Sequence, residues 1–63
     1  MPSVASSCIS SVDYDEESGD LIVYFVRGGA YVYTGVPVDV YEGLIEAGSA
    51  GSYFYYNIRG VYG

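Results

Sequence analysis

Leu21-Ile22-Val23-Tyr24-Phe25-Val26-Arg27-Gly28-Gly29-Ala30-Tyr31-Val32-Tyr33 is the stretch on which the fold turns. Leu21 to Val26 is built of β-branched and aromatic residues that fit a pleated, packed surface better than a helix. Alternation puts Leu21, Val23 and Phe25 on one face and Ile22, Tyr24 and Val26 on the other. A strand apolar on both faces belongs in the middle of a sheet, with one face on the domain's own core and the other meeting something else. Arg27, Gly28 and Gly29 then read as a tight turn, because Gly-Gly accepts the positive φ angles of a two-residue hairpin loop. A further strand follows over Ala30 to Gly35, with Tyr31 and Tyr33 sharing a face and Val32 opposite.

Outward from this hairpin, Cys8 to Tyr14 reads as a first strand whose alternation is interrupted at Ser10 and Ser11. The polar run Asp15-Glu16-Glu17-Ser18-Gly19-Asp20 has the composition of a turn. On the C-terminal side Pro37 suits a first helical position, and Val40, Leu44 and Ala47 form one apolar stripe with Asp39, Glu42 and Glu46 toward water. Gly48 closes that helix. Ser49 caps a second short helix that runs toward Tyr56, with Asn57 near its end and Ile58 and Val61 as apolar anchors beyond it. The fold class is therefore α+β: a three-stranded antiparallel meander followed by two short helices packed on one face, the other face staying partly bare.

The chain has 63 residues. That length supports one domain, 1–63, with 1–6 expected as a flexible N-terminal tail, and a core this small buries only roughly 60% of the unfolded surface. Small scaffolds add a disulfide, a metal or a second copy. Cys8 is the only cysteine and histidine is absent, which leaves self-association as the expected reinforcement. Eight acidic residues against Arg27 and Arg59 give a net charge of −6, and there is no lysine. Long nucleic acids, which are held by many cationic contacts, are poor partners for such a surface. The longest apolar run, Leu21 to Val26, is far below the roughly 20 residues of a membrane span. MPSVASSC shows neither a basic region nor an apolar signal core, so a reducing cytoplasm is the expected compartment.

Catalysis finds little material. Cys8 has no imidazole to activate it, and Asp13, Asp15, Glu16, Glu17 and Asp20 crowd one turn instead of facing each other across a cleft. They also lack the spacing of an EF-hand. No catalytic residue, metal site or cofactor is expected. Gly48-Ser49-Ala50-Gly51-Ser52 has no lysine after it and reads as punctuation between helices, although the amides of Gly51 and Ser52 could hold one phosphate.

The nine tyrosines exceed what a core of this size can use. Tyr31 or Tyr33 can pair with Phe25 across the hairpin, with Phe54 under the helices. Tyr24, Tyr55 and Tyr56 are left for a surface that meets a partner. Tyrosine rings also stack on nucleobases while arginine meets phosphate.

The spacing resembles a known family. Ser6-Ser7-Cys8-Ile9, Val12, Tyr14-Asp15, Phe25, Gly28-Gly29, Tyr31-Val32-Tyr33, Val36-Pro37, Val40-Tyr41-Glu42-Gly43-Leu44, Gly51-Ser52-Tyr53-Phe54 and Ile58-Arg59-Gly60-Val61-Tyr62 stand in the order of a KTSC domain. This short module is named after the C-terminus of some lysyl-tRNA synthetases and also occurs alone in bacteria and phages. The resemblance implies the same small fold, a bacterial or phage-infected cytoplasm, and RNA binding by analogy with the synthetase. Around Arg59 the family pattern is more basic than the Tyr55, Tyr56 and Val61 found here.

The functional expectation is a small non-catalytic interaction module that associates with itself. Its alternatives are an oligomeric binder of a small nucleotide signal, such as a phage would use to sequester a host defence signal, and an RNA-binding module. Candidate ligand or interface residues are Tyr31, Tyr33, Tyr55, Tyr56, Asn57, Arg59 and Arg27.

Overall fold

A computed structural model describes residues 8–62; the expected tail over 1–6 lies outside them. Strands β1 (Ile9–Asp15), β2 (Asp20–Phe25) and β3 (Ala30–Tyr33) precede helices α1 (Val38–Glu46) and α2 (Ala50–Asn57). The three strands form one antiparallel sheet in the order β1-β2-β3. β2 is central, as its two apolar faces require.

Both helices cover the same face of that sheet. Ile9, Val12, Leu21 and Val23 point into it and are closed over by Val36, Leu44, Ala50, Phe54 and Ile58, all buried. Ile9 and Val12 are three positions apart, yet both face the core. The register explains this: Ile9 pairs with Phe25 and Ser11 with Tyr24, so Ser10 is an extra residue in a β-bulge. The interruption at Ser10 and Ser11 is thus the bulge itself. On the open face Ile22 lies between Asp13 and Val32, and Tyr24 between Ser11 and Ala30.

The β1–β2 turn is tied by its own side chains. The Glu17 amide donates to Asp15 Oδ1 and the Asp20 amide to Ser18 Oγ. Gly19, at φ 77°, passes so close to the β3–α1 link that a Cβ there would sit 3.4 Å from the Val36 backbone. The Val36 amide donates to the Gly19 carbonyl at 2.9 Å. Tyr14 reaches the same place: its hydroxyl donates to the Val36 carbonyl, and its ring stacks on Tyr41 at 4.5 Å.

Several boundaries differ from expectation. The β2–β3 connection is not a two-residue hairpin loop; β2 stops at Phe25, whose amide donates to the Gly29 carbonyl, and Val26 is exposed in the loop. Both glycines do take positive φ, 112° at Gly28 and 81° at Gly29. β3 ends at Tyr33, because Gly35 at φ 69° turns the chain away toward Val36. Pro37 precedes the first helical residue with extended backbone (ψ 152°), and its carbonyl accepts from Val40 and Tyr41. α1 ends at Glu46 with Ala47 already extended, ahead of Gly48. Ser49 does cap α2, its Oγ accepting from the Ser52 amide, so that amide already has a protein partner. Val61 is exposed, and the half-buried Tyr62 packs on the core in its stead.

Candidate functional site

A hollow of about 430 Å³ is lined by Phe25, Arg27, Gly28, Tyr31, Tyr33, Phe54 and Arg59. Its floor follows from strand register. Leu21 pairs with Tyr33 and Val23 with Tyr31, so both tyrosines stand on the helix-covered face beside Phe25. Phe54 of α2 meets Phe25 and Tyr33 edge to face, at 5.6 and 5.4 Å between centroids, and Phe25 meets Tyr31 in the same way at 5.6 Å. These four rings lock one another, as edge-to-face geometry favours. Tyr31 nevertheless remains 57% exposed, so a large part of it is still open to solvent.

Two loops bring the cations. Arg27 stands in the β2–β3 loop, beside the two glycines whose positive φ angles carry the chain round. A Cβ on Gly28 or Gly29 would meet nothing within 4 Å, so it is backbone conformation and not space that calls for glycine there. Arg59 is set by the turn after α2. The Phe54 carbonyl accepts from both Ile58 and Arg59 amides, and Gly60 at φ 80° lets the Val61 and Tyr62 amides fold back on the Ile58 carbonyl. The Arg59 guanidinium lies 5.6 Å from the Tyr55 ring centroid, in cation–π range. Neither arginine has a carboxylate partner among the described residues, so Arg59 is not paired with Asp39, Glu42 or Glu46.

Four of the seven candidates therefore meet in one hollow: Arg27, Tyr31, Tyr33 and Arg59. Tyr55 stands outside it, against Arg59. Tyr56 is 76% exposed and meets only the edge of Tyr55 at 5.3 Å among the ring contacts. Asn57 faces its own helix, with Nδ2 donating to the Tyr53 carbonyl at 3.1 Å. Sequence reasoning passed over Phe25, Phe54 and Gly28 as lining residues. Phe25 carried the available signal, since it precedes Arg27 by two positions and faces the side of Tyr31.

Electrostatically the hollow is the basic corner of an acidic molecule. Burial pushes the Tyr33 hydroxyl above its ordinary pKa, the Arg59 charge works against that shift, and Tyr31 adds to it. All eight carboxylates fall in two stretches, Asp13 to Asp20 and Asp39 to Glu46, and none lines the hollow. A smaller hollow of about 340 Å³ adjoins it, sharing Phe25 and Arg27 and adding Cys8 and Val26. Among the described residues no three of His, Cys, Asp and Glu come together as metal ligands. The hollow presents two planar guanidinium forks, two phenol hydroxyls and an open ring.

A family model described as the KTSC domain matches residues 5–62. The chain belongs to the KTSC domain family. The crystal structure of a KTSC domain protein from Yersinia pestis superposes with a TM-score of 0.92 at 35% identity, covering 98% of this chain and 86% of that one. An uncharacterized protein of Stutzerimonas stutzeri (strain A1501) is 43% identical over 49 residues, which is 78% of this chain and 69% of that one. The Ile58-Arg59-Gly60-Val61-Tyr62 segment of this KTSC domain is the turn that presents Arg59. Gly28 of the Gly28-Gly29 pair, and Tyr31 and Tyr33 of Tyr31-Val32-Tyr33, line the same hollow.

Proposed function

We propose that this KTSC domain is a non-catalytic binding module whose hollow takes a small ligand combining a flat ring with an anionic group, of the nucleotide class. The observation that carries this reading is that the only two cations of a chain with net charge −6 line the same aromatic hollow. No ion pair accounts for this placement, because neither guanidinium neutralises a carboxylate among the described residues. A phosphate between Arg27 and Arg59 would gain charge-assisted hydrogen bonds worth about 1.5–3 kcal/mol each. A base on Tyr31 would add roughly 1–3 kcal/mol of stacking. With two cations per chain the site suits a short ligand, whereas a long RNA strand would meet the carboxylates beyond the hollow. The role we assign is to store or sequester what the hollow binds.

Calorimetric titration with nucleoside monophosphates, the matching nucleosides and inorganic phosphate tests the reading. Nucleotides should bind more tightly than either half alone, and Arg27→Ala or Arg59→Ala should weaken them about tenfold or more, the equivalent of 1.4 kcal/mol. Absence of heat with every nucleotide, or full affinity in both arginine variants, overturns it.

A further inference from the structure

The two edges of the sheet are built differently. β1, one edge, carries Asp13 and Asp15, both exposed, and is bent by the bulge at Ser10. Charges and bulges are what keep a sheet edge from pairing with another strand. β3, the other edge, reads Ala30-Tyr31-Val32-Tyr33, with no charge, no proline and no bulge in its register with β2. Its side chains are largely in water: Tyr31 is 57% and Val32 54% exposed.

The backbone of β3 says which groups face outward. The Phe25 amide donates to the Gly29 carbonyl, making 25 and 29 a hydrogen-bonded position of the ladder. Hydrogen-bonded and non-hydrogen-bonded positions alternate along an antiparallel pair. Val23↔Tyr31 and Leu21↔Tyr33 are then hydrogen-bonded, and Ile22↔Val32 and Tyr24↔Ala30 are not. The amides and carbonyls of Ala30 and Val32 are therefore turned away from β2, toward the open edge.

We infer that β3 pairs with β3 of a second copy, antiparallel, about a two-fold axis that passes between the two Val32 residues. The two three-stranded sheets then run on as one. The outward groups of Ala30 and Val32 are compatible with this register. With Val32 opposite Val32 of the second copy, each donates its amide to the other's carbonyl, so the two-fold relation is satisfied by a single residue. The valine side chains meet on the open face, while Tyr31 comes opposite Tyr33 of the second copy on the helix-covered face. Charge favours this side for a pair of identical acidic chains, because no Asp or Glu lies between Asp20 and Asp39 or over 47–63. The carboxylate-bearing β1–β2 turn is left on the far edge. A two-fold axis perpendicular to the joined sheet keeps both hollows on one face, flanking the tyrosine pairs.

The size of the contact sets its strength. A standard interface takes about 800 Å² from each partner, roughly a fifth of the 3832 Å² that this chain exposes. A four-residue edge with its tyrosines covers less than that, so dissociation belongs in the micromolar range or weaker, about 10⁻⁶ M upward.

Sedimentation of the full chain from about 1 μM to 1 mM, without any ligand, tests the interface separately from the ligand reading. Growth from one to two chain masses is expected. Val32→Lys places like charges opposite each other on an exposed position and should raise the dissociation constant at least about tenfold, with the monomer folded by circular dichroism. Val32→Pro removes only an outward amide and should act in the same direction. Residues opposite each other at a hydrogen-bonded position have Cα atoms about 5.5 Å apart, within disulfide range. In a Cys8→Ser background, Val32→Cys should therefore form a symmetric disulfide dimer under mild oxidation, and Asp13→Cys should not. A chain that stays monomeric throughout the range, or a dimer indifferent to Val32→Lys in which Asp13→Cys crosslinks as readily, overturns the inference.

Discussion

Tyr14 fastens three separate parts of the chain through one side chain: it belongs to β1, stacks on Tyr41 of α1 and donates its hydroxyl proton to the Val36 carbonyl. Burial, and then the nearby charges of Glu16, Asp39 and Asp15, push its pKa above the ordinary 10.0. The folded state thus favours the neutral phenol. Its contribution to stability is complete below the ordinary value and is lost as pH rises through the raised one. Melting followed from neutral pH upward should show a flat region and then an alkaline fall. Tyr14→Phe should melt lower at neutral pH and lose less in the alkaline limb; a limb of unchanged steepness would place the titration elsewhere. Gly43 works by absence. A Cβ there would lie 2.7 Å from Cζ of Tyr53, so the ring of one helix occupies the space the other leaves empty. Gly43→Ala gains about 1 kcal/mol of helix propensity and meets about 1–3 kcal/mol of overpacking. The expected outcome is a net loss near 1 kcal/mol, about 4–8 °C in Tm; a higher Tm would show that Tyr53 can swing aside freely. Gly43 and Tyr53 both stand in the KTSC spacing, yet nothing local in either stretch shows that they touch.

At the scale of elements, the strands were legible because β2 is apolar on both faces and is bounded by Asp20 and the glycine pair. The helix order was legible from Ser49, whose position after Gly48 marks a cap. What escaped was geometry that alternation does not encode. Val26 continues the apolar run of β2 but leaves the sheet, since the Phe25 amide has already closed on Gly29. Val61 looks like an anchor, but Gly60 turns it outward and puts Tyr62 on the core. The site was half legible. The arginines and tyrosines were evident as residue types, while their meeting depends on two glycine turns far apart in the chain, Gly28-Gly29 and Gly60. The bulge yields a sharp prediction. Deleting Ser10 converts β1 into a regular strand with Ile9 and Val12 still on the core face, so the loss should stay within about 1 kcal/mol, or about 4–8 °C in Tm. Deleting Asp13 instead shifts Val12 and Tyr14 to opposite faces of the sheet and should abolish cooperative melting. Equal damage from the two deletions would contradict the assigned register.

Across the whole molecule, charge is divided as sharply as secondary structure. Asp15, Glu16 and Asp39, from the β1–β2 turn and the start of α1, all act on Tyr14 and so share one neighbourhood. Arg27 and Arg59 border the hollow, with no carboxylate on either guanidinium among the described residues. The acidic region repels itself in the folded state and favours an expanded chain. Salt should relieve that repulsion, since the screening length falls from about 30 Å at 0.01 M to about 10 Å at 0.1 M. The same salt should weaken any anion held by the two arginines, because that attraction is screened too. One sample should therefore show two opposite responses. From 0.01 to 0.3 M sodium chloride, an interval that brings the screening length below 10 Å, Tm of the unliganded chain should rise by a few degrees, about 0.5 kcal/mol at this size. Nucleotide affinity should fall several-fold over the same interval. Glu16→Gln should mimic the first effect at low salt and leave the second unchanged, because Glu16 lies in the turn remote from the hollow's lining. If Tm and affinity rise together, the stabilising charges and the binding charges are one set, and the separation of the acidic region from the arginine-bordered hollow does not govern the behaviour of the molecule.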